Sequence, residues 1–115
     1  MKTNSKIKGK RGEQLAKTYY QSIGCEILEE NYRFRRAEID LIALQKETLL
    51  IFVEVKNRSR KDFGEAETFV SEAQQNRIKE AAEDYIFGIN WTKDIRFDIV
   101  CVDANENLEV FEDAF

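Results

Sequence analysis

Eight consecutive residues, Leu49-Leu50-Ile51-Phe52-Val53-Glu54-Val55-Lys56, constrain the fold more than any other part of the chain. Side chains along a strand leave alternate faces, so Ile51, Val53 and Val55 share one face and Leu50, Phe52, Glu54 and Lys56 share the other. Both faces are apolar up to Glu54. A strand of this kind belongs inside a sheet that is covered on both sides.

The rest of the chain supplies the cover. Leu15, Ala16, Tyr19, Tyr20 and Ile23 recur at helical spacing between Lys10 and Ile23, and Gly24 ends the run. Ile78, Ala81, Ala82, Tyr85 and Ile86 predict a second, longer helix, opened by a capping box of Ser71 and Gln74 and closed by Gly88. Strands are predicted at Cys25–Glu30, Glu38–Leu44, Leu49–Lys56 and Arg96–Val102, with a short edge strand at Leu108–Phe111. Residues 31–36 and 57–65 read as basic loops, and a polar turn near Lys46 and Glu47 joins the middle strands. The order is helix, three strands, helix, one or two strands, without repeats or proline. It predicts one α/β domain over residues 1–115, helices packed on a mixed sheet, with a basic, flexible tail at 1–8.

Composition narrows the chemistry. The chain has no histidine, which excludes His general bases, Ser-His and Cys-His pairs and every His-containing metal site. Cys25 and Cys101 are too few for a four-ligand zinc site and read as buried thiols of a reducing compartment. No stretch approaches the roughly 18 apolar residues of a membrane span, and the basic N-terminus lacks the apolar segment of a signal peptide. A cytoplasmic protein without a membrane partner is expected. The net charge of −4 conceals an asymmetry: residues 1–61 hold 14 of the 18 lysines and arginines but only 8 of the 22 acidic residues. Gathered on one face, the basic residues of that half would follow a phosphate backbone; left apart, they are solvated loops.

Chemistry therefore falls to carboxylates and lysine. Glu54 and Lys56 share a buried-looking face, about 6–7 Å apart at their Cα atoms. Charges there are costly unless paired or bound to metal. One reading is a simple Glu54–Lys56 ion pair where the strand meets water. Asp40 favours another. A hairpin turn centred on Glu47 sets Asp40 opposite Glu54 on the same face, although no glycine or asparagine fixes that turn and a bulge would move the register. Two converging carboxylates with an adjacent lysine suit a hard divalent cation such as Mg²⁺, which takes few protein oxygens and bridges to substrate phosphate. Lys56 can then orient or deprotonate a water, or offset developing charge.

Four pieces carry a resemblance to a known family: Gly12-Glu13 at the opening of the first helix, Glu38-Ile39-Asp40-Leu41-Ile42, Phe52-Val53-Glu54-Val55-Lys56-Asn57-Arg58, and Arg96-Phe97-Asp98. Asp40 followed by Glu54-Val55-Lys56 resembles the D…ExK signature of the PD-(D/E)XK nuclease superfamily. The whole set, from Gly9 to about Asp103, resembles the YraN-type bacterial family of predicted endonucleases, related to archaeal Holliday-junction resolvases. The resemblance implies a restriction-endonuclease-like three-layer fold with the site at the mouth of the central hairpin. It implies Mg²⁺ (or Mn²⁺) held by Asp40, Glu54 and the carbonyl of Val55, with Lys56 positioning the water and Glu13 as an outer carboxylate. Two positions depart from the family's pattern: Ala37 stands where the family usually has glycine, and Gln74 where it often has lysine.

The flanking candidates carry two readings each. Glu13 is a helix-flank carboxylate or a site residue, and Gln74 a cap or a site residue. Glu38 is an ion-pair partner for Arg35 or Arg36 in preference to a spare ligand, and Arg96 with Asp98 is a structural pair. Tyr19, Tyr20, Phe69 and Tyr85 read as core, leaving Trp91 as the partly exposed aromatic. The expected activity is Mg²⁺-dependent hydrolysis of DNA phosphodiester bonds, with branched or structured DNA as a candidate substrate. Arg33, Arg35, Arg36, Arg58 and Arg60 are the expected phosphate contacts. The alternatives are a non-catalytic nucleic-acid-binding module on the same fold and an interaction protein whose charges only solubilise it. A homodimer is left open.

Overall fold

A computed structural model describes residues 2–57 and 70–115, with side chains from Lys10 onward. The elements are α1 (Lys2–Ser22), β1 (Cys25–Phe34), β2 (Ala37–Gln45), β3 (Leu49–Asn57), α2 (Glu72–Ile89), β4 (Asp94–Val102) and β5 (Leu108–Phe111). The strands form one sheet in the order β1-β2-β3-β4-β5. All neighbours are antiparallel except β3 and β4, which run parallel because α2 carries the chain back between them.

The two faces of β3 divide as alternation requires. Leu50 and Phe52 pack under α2, with Ile78, Ala81, Ala82 and Tyr85 of that helix and Ile42, Phe97 and Ile99 of the sheet. Ile51 and Val53 pack under α1, with Ala16 and Tyr20. The result is a three-layer α/β domain, helix–sheet–helix, compatible with a restriction-endonuclease-like fold. No described helix is long and apolar enough to cross a membrane.

Several boundaries differ from the sequence expectation. Helix α1 starts at Lys2, so the predicted basic tail is helical backbone from that residue on. It ends as predicted at Gly24, whose φ of +91° is a left-handed conformation open to glycine. At its middle, α1 approaches the sheet closely: a Cβ on Gly12 would lie 2.9 Å from Asn57 Oδ1. Helix α2 runs past Gly88 and ends on Asn90, which takes the left-handed turn (φ 57°) and caps with its backbone N–H.

The largest correction concerns residues 31–36, expected as a basic loop. Strand β1 continues through them to Phe34, and only Arg35 and Arg36 form the turn into β2. Tyr32 and Phe34 alternate inward onto the α2-side core while Arg33 faces water. The edge position explains the polar composition, since one side of an edge strand is wet. The second basic loop, with Arg58, Arg60 and Gly64, lies outside the described residues, as does Phe69.

On the other face, Asp98 anchors α1 to the sheet. It is fully buried and accepts from Tyr20 Oη (2.7 Å), Arg96 Nε (2.8 Å) and Nη2 (2.9 Å), and the Asp113 amide (3.1 Å). Arg96 and Asp98 are thus a structural pair, as expected, within a satisfied network. Trp91 is partly buried, but the most exposed large apolar side chain among the described residues is Phe87, at 84%.

Candidate active site

The β2–β3 hairpin has the predicted register. Gln45 pairs with Leu49 and Leu41 with Val53, around a turn at Lys46–Thr48. That turn is closed without glycine: Lys46 and Glu47 both take left-handed backbone, with φ of 54° and 60°. The ladder ends at Leu41–Val53. One step beyond, Asp40 faces Val55 through its side chain, Oδ2 accepting from the Val55 amide at 2.7 Å. The N–H and C=O of a strand residue point to the same edge. The Val55 carbonyl is therefore directed to the edge where Asp40 stands.

Asp40 and Glu54 are both buried, 8% and 7% exposed, and close enough to interact electrostatically. Burial, and then the charge of Glu54, pushes Asp40 up to about 8. Glu54 is also raised, by burial, against the opposing pull of Lys56 and Gln74. Lys56 Nζ is 3.4 Å from Glu54 Oε2 and donates to Gln74 Oε1 at 3.5 Å. Gln74 Nε2 donates to Glu54 Oε2 at 2.8 Å. Asp40, Glu54, Lys56 and Gln74 thus form one cluster on the α2 face of the sheet.

Gln74 takes part in the helix cap and also touches Glu54. Its main-chain amide donates to Ser71 Oγ at 3.1 Å, capping α2, and its side chain is left to reach Glu54. The reciprocal half of a capping box is not made.

The flanking residues are placed as follows. Glu13 Oε1 accepts from Asn31 Nδ2 at 3.0 Å, and its charge contributes to the rise at Asp40. It does not join Asp40 and Glu54 as a third clustered carboxylate, since no such group occurs among the described residues. Glu38 pairs with Arg33 (3.6 Å), not with Arg35 or Arg36. Arg35 lies over the Phe34 ring, 5.0 Å from its centroid.

Above the carboxylates is a cleft of about 180 Å³, whose walls include Arg36, Ala37, Asp40, Glu54, Gln74 and Arg77. Arg77 was missed by sequence reasoning, although a signal existed. It lies three residues after Gln74, hence on the same side of α2.

The donor set fits a hard divalent cation. Two buried carboxyls are answered by a single lysine, and with no third carboxylate, His or Cys clustered with them among the described residues, the remaining ligands would be backbone carbonyl and water. Mg²⁺ and Mn²⁺ accept such a set, whereas structural zinc does not. Asp40, Glu54 and the Val55 carbonyl are the groups that would hold it.

Comparison with known proteins adds the lineage. The model of the uncharacterised protein family UPF0102 matches residues 12–102. The chain belongs to that family. Among its relatives, a UPF0102 protein of Flavobacterium psychrophilum is 44% identical over 93% of this chain and 92% of its own length. One from Chlorobium chlorochromatii is 46% identical over 84% of this chain and 74% of its own length. A third, from Dictyoglomus turgidum, is 44% identical over 93% and 91%. The UPF0102 match runs from Gly12 to Val102, so it contains the close helix–sheet contact at Gly12 and all four clustered residues.

Proposed function

We propose that this UPF0102 protein is a divalent-metal-dependent endonuclease of the PD-(D/E)XK type, hydrolysing phosphodiester bonds in DNA, with branched or structured DNA as the substrate to try first. The observation that carries the reading is the pairing of Asp40 with Glu54 at the open end of the central hairpin, with Lys56 beside them. Two carboxyl groups and a lysine held on one otherwise apolar face are a standing cost to the fold unless they serve chemistry.

Each residue has a part. Asp40, fixed by the Val55 amide, and Glu54, fixed by Gln74, present carboxylate oxygens to the cleft. Bound there, Mg²⁺ or Mn²⁺ would neutralise phosphate charge and lower the pKa of water. Lys56, half-buried and close to Glu54, can donate to a water aligned on the phosphorus and offset the charge that gathers on the phosphoryl oxygens. The site sits beside the N-terminal turn of α2, whose dipole also favours negative charge. Arg33, Arg35 and Arg36 stand at the same end of the sheet, in β1 and the β1–β2 turn, and would meet neighbouring phosphates.

A second reading, a non-catalytic DNA-binding module on the same fold, is supported by those arginines alone, because they need no metal. The deciding experiment incubates labelled branched and linear DNA with the protein and Mg²⁺ or Mn²⁺. Cleavage lost in Asp40→Asn and Glu54→Gln is expected. Binding without cleavage under every metal condition favours the second reading.

A further inference from the structure

A second cleft, of about 230 Å³, adjoins the first and is lined by Phe34, Arg35, Arg36, Ala37, Arg77 and Glu80. Arg36, Ala37 and Arg77 line both clefts, so they form the shared wall between them. Ala37, from the start of β2, contributes only a methyl group to that wall. Arg36, from the β1–β2 turn, and Arg77, from α2, bring two arginines to it from different elements. Neither has an ion-pair partner among the described residues: Glu38, the nearby carboxylate on β2, is taken by Arg33. Two exposed arginines without ion-pair partners that line the same clefts suit an anion, because each offers a planar fork of donors to phosphate.

The second cleft has a different character. Phe34 and the Arg35 guanidinium over it provide flat surfaces suited to stacking. The Glu80 carboxylate repels phosphate and accepts hydrogen bonds from amino groups.

We propose that Arg36 and Arg77 clamp the phosphate that flanks the one held over Asp40 and Glu54, and that the second cleft seats the nucleoside attached to it. A DNA strand would then run from the carboxylate cleft, over the arginine wall, into the space between Phe34 and Glu80. The two clefts act as consecutive nucleotide positions. The inference rests on reading the carboxylate cleft as the place where a phosphodiester is held.

The test is binding of a fluorescein-labelled DNA twelve-mer in a chelator, where turnover plays no part. Arg77→Gln and Arg36→Gln should each weaken binding roughly fivefold to tenfold and lower the salt slope by about 0.7 to 1. Lys93→Gln removes the same charge at the opposite end of the sheet, beside Glu47, and should stay within about twofold of wild type on the reasoning that clamp contacts are local. All three side chains are exposed, so melting temperatures should be unchanged and folding is not in question. An abasic twelve-mer should keep its dependence on Arg77 yet bind wild type more weakly than normal DNA, and Phe34→Leu should erase that difference. Equal weakening by Arg77→Gln and Lys93→Gln, or an unchanged salt slope in Arg77→Gln, overturns the clamp. Equal affinity for abasic and normal DNA overturns the nucleoside seat. Arg77-dependent binding without cleavage in Mg²⁺ sinks the nuclease reading alone; cleavage with Arg77-independent binding sinks this inference alone.

Discussion

Gln74 holds Glu54 at 2.8 Å through a side chain that its own helix cap leaves free. A neutral amide thus occupies the point where a cation would answer the carboxylate directly, and Lys56 carries the whole positive charge of the cluster.

Replacing the amide by an ammonium should therefore change the site's charge but not its geometry. Gln74→Lys is expected to tighten DNA binding and steepen its salt slope by about one unit. Anisotropy titrations at two or three salt concentrations check this. An unchanged slope would place the side chain out of reach of phosphate.

The carboxylate pair predicts an unusual pH dependence of stability. Asp40 is raised, so it binds its proton more tightly in the folded chain than in the unfolded one. The resulting stabilisation is complete below the ordinary carboxylate pKa of about 4 and is lost as pH rises through about 8. Without metal, the melting temperature should decline across that window, and Asp40→Asn should flatten the decline. Mg²⁺ should stabilise wild type more at the alkaline end than at the acid end, with proton release on binding. A flat metal-free profile for wild type would contradict the assignment.

Lys56 is 30% exposed, and Glu54 keeps its bond to Gln74 when the lysine is gone. Lys56→Ala should thus cost about 1 kcal/mol or less, well short of the roughly 3–5 kcal/mol expected when a buried pair is broken. Cleavage should be abolished while DNA binding persists. A large drop in the thermal melt would make the pair structural.

Asp98 supplies the contrast. Asp98→Ala leaves Arg96 and the Tyr20 hydroxyl without their buried acceptor, and a loss of roughly 3–5 kcal/mol is expected by denaturant unfolding. A loss under about 1 kcal/mol would mean that water replaces the carboxylate, which its full burial argues against.

The hairpin turn offers a test of local strain. Lys46 and Glu47 hold left-handed backbone that asparagine and glycine adopt at lower cost. Lys46→Asn combined with Glu47→Gly should stabilise the chain by about 1 kcal/mol, read as a melting-temperature rise of roughly 4 °C.

What the sequence made legible follows from periodicity. The alternation of Leu50, Phe52 and Glu54 against Ile51, Val53 and Val55 places β3 correctly between two helices, and the index rule places Asp40 near Glu54 without a glycine in the turn. The edge strand was hidden because Arg33, Arg35 and Arg36 outweigh the inward alternation of Tyr32 and Phe34. Helix α2 was cut short at Gly88 because a glycine inside a helix looks like a terminus, whereas Asn90 makes the actual left-handed turn. Arg77 was overlooked because an exposed helix arginine carries no mark of its own; only the approach of the Arg36 turn from another element gives it meaning.

The two charged clusters occupy opposite faces of one sheet. The Asp98 network ties α1 to the strands with every buried polar atom matched, while the Asp40–Glu54 pair sits under α2 with both carboxyls pushed toward their protonated forms by burial. The sheet acts as a partition, so the residues proposed for chemistry are not those that hold the domain together. Substitutions at such a site are expected to leave the fold standing. Survival of the fold in a descendant therefore says nothing of the state of the cleft.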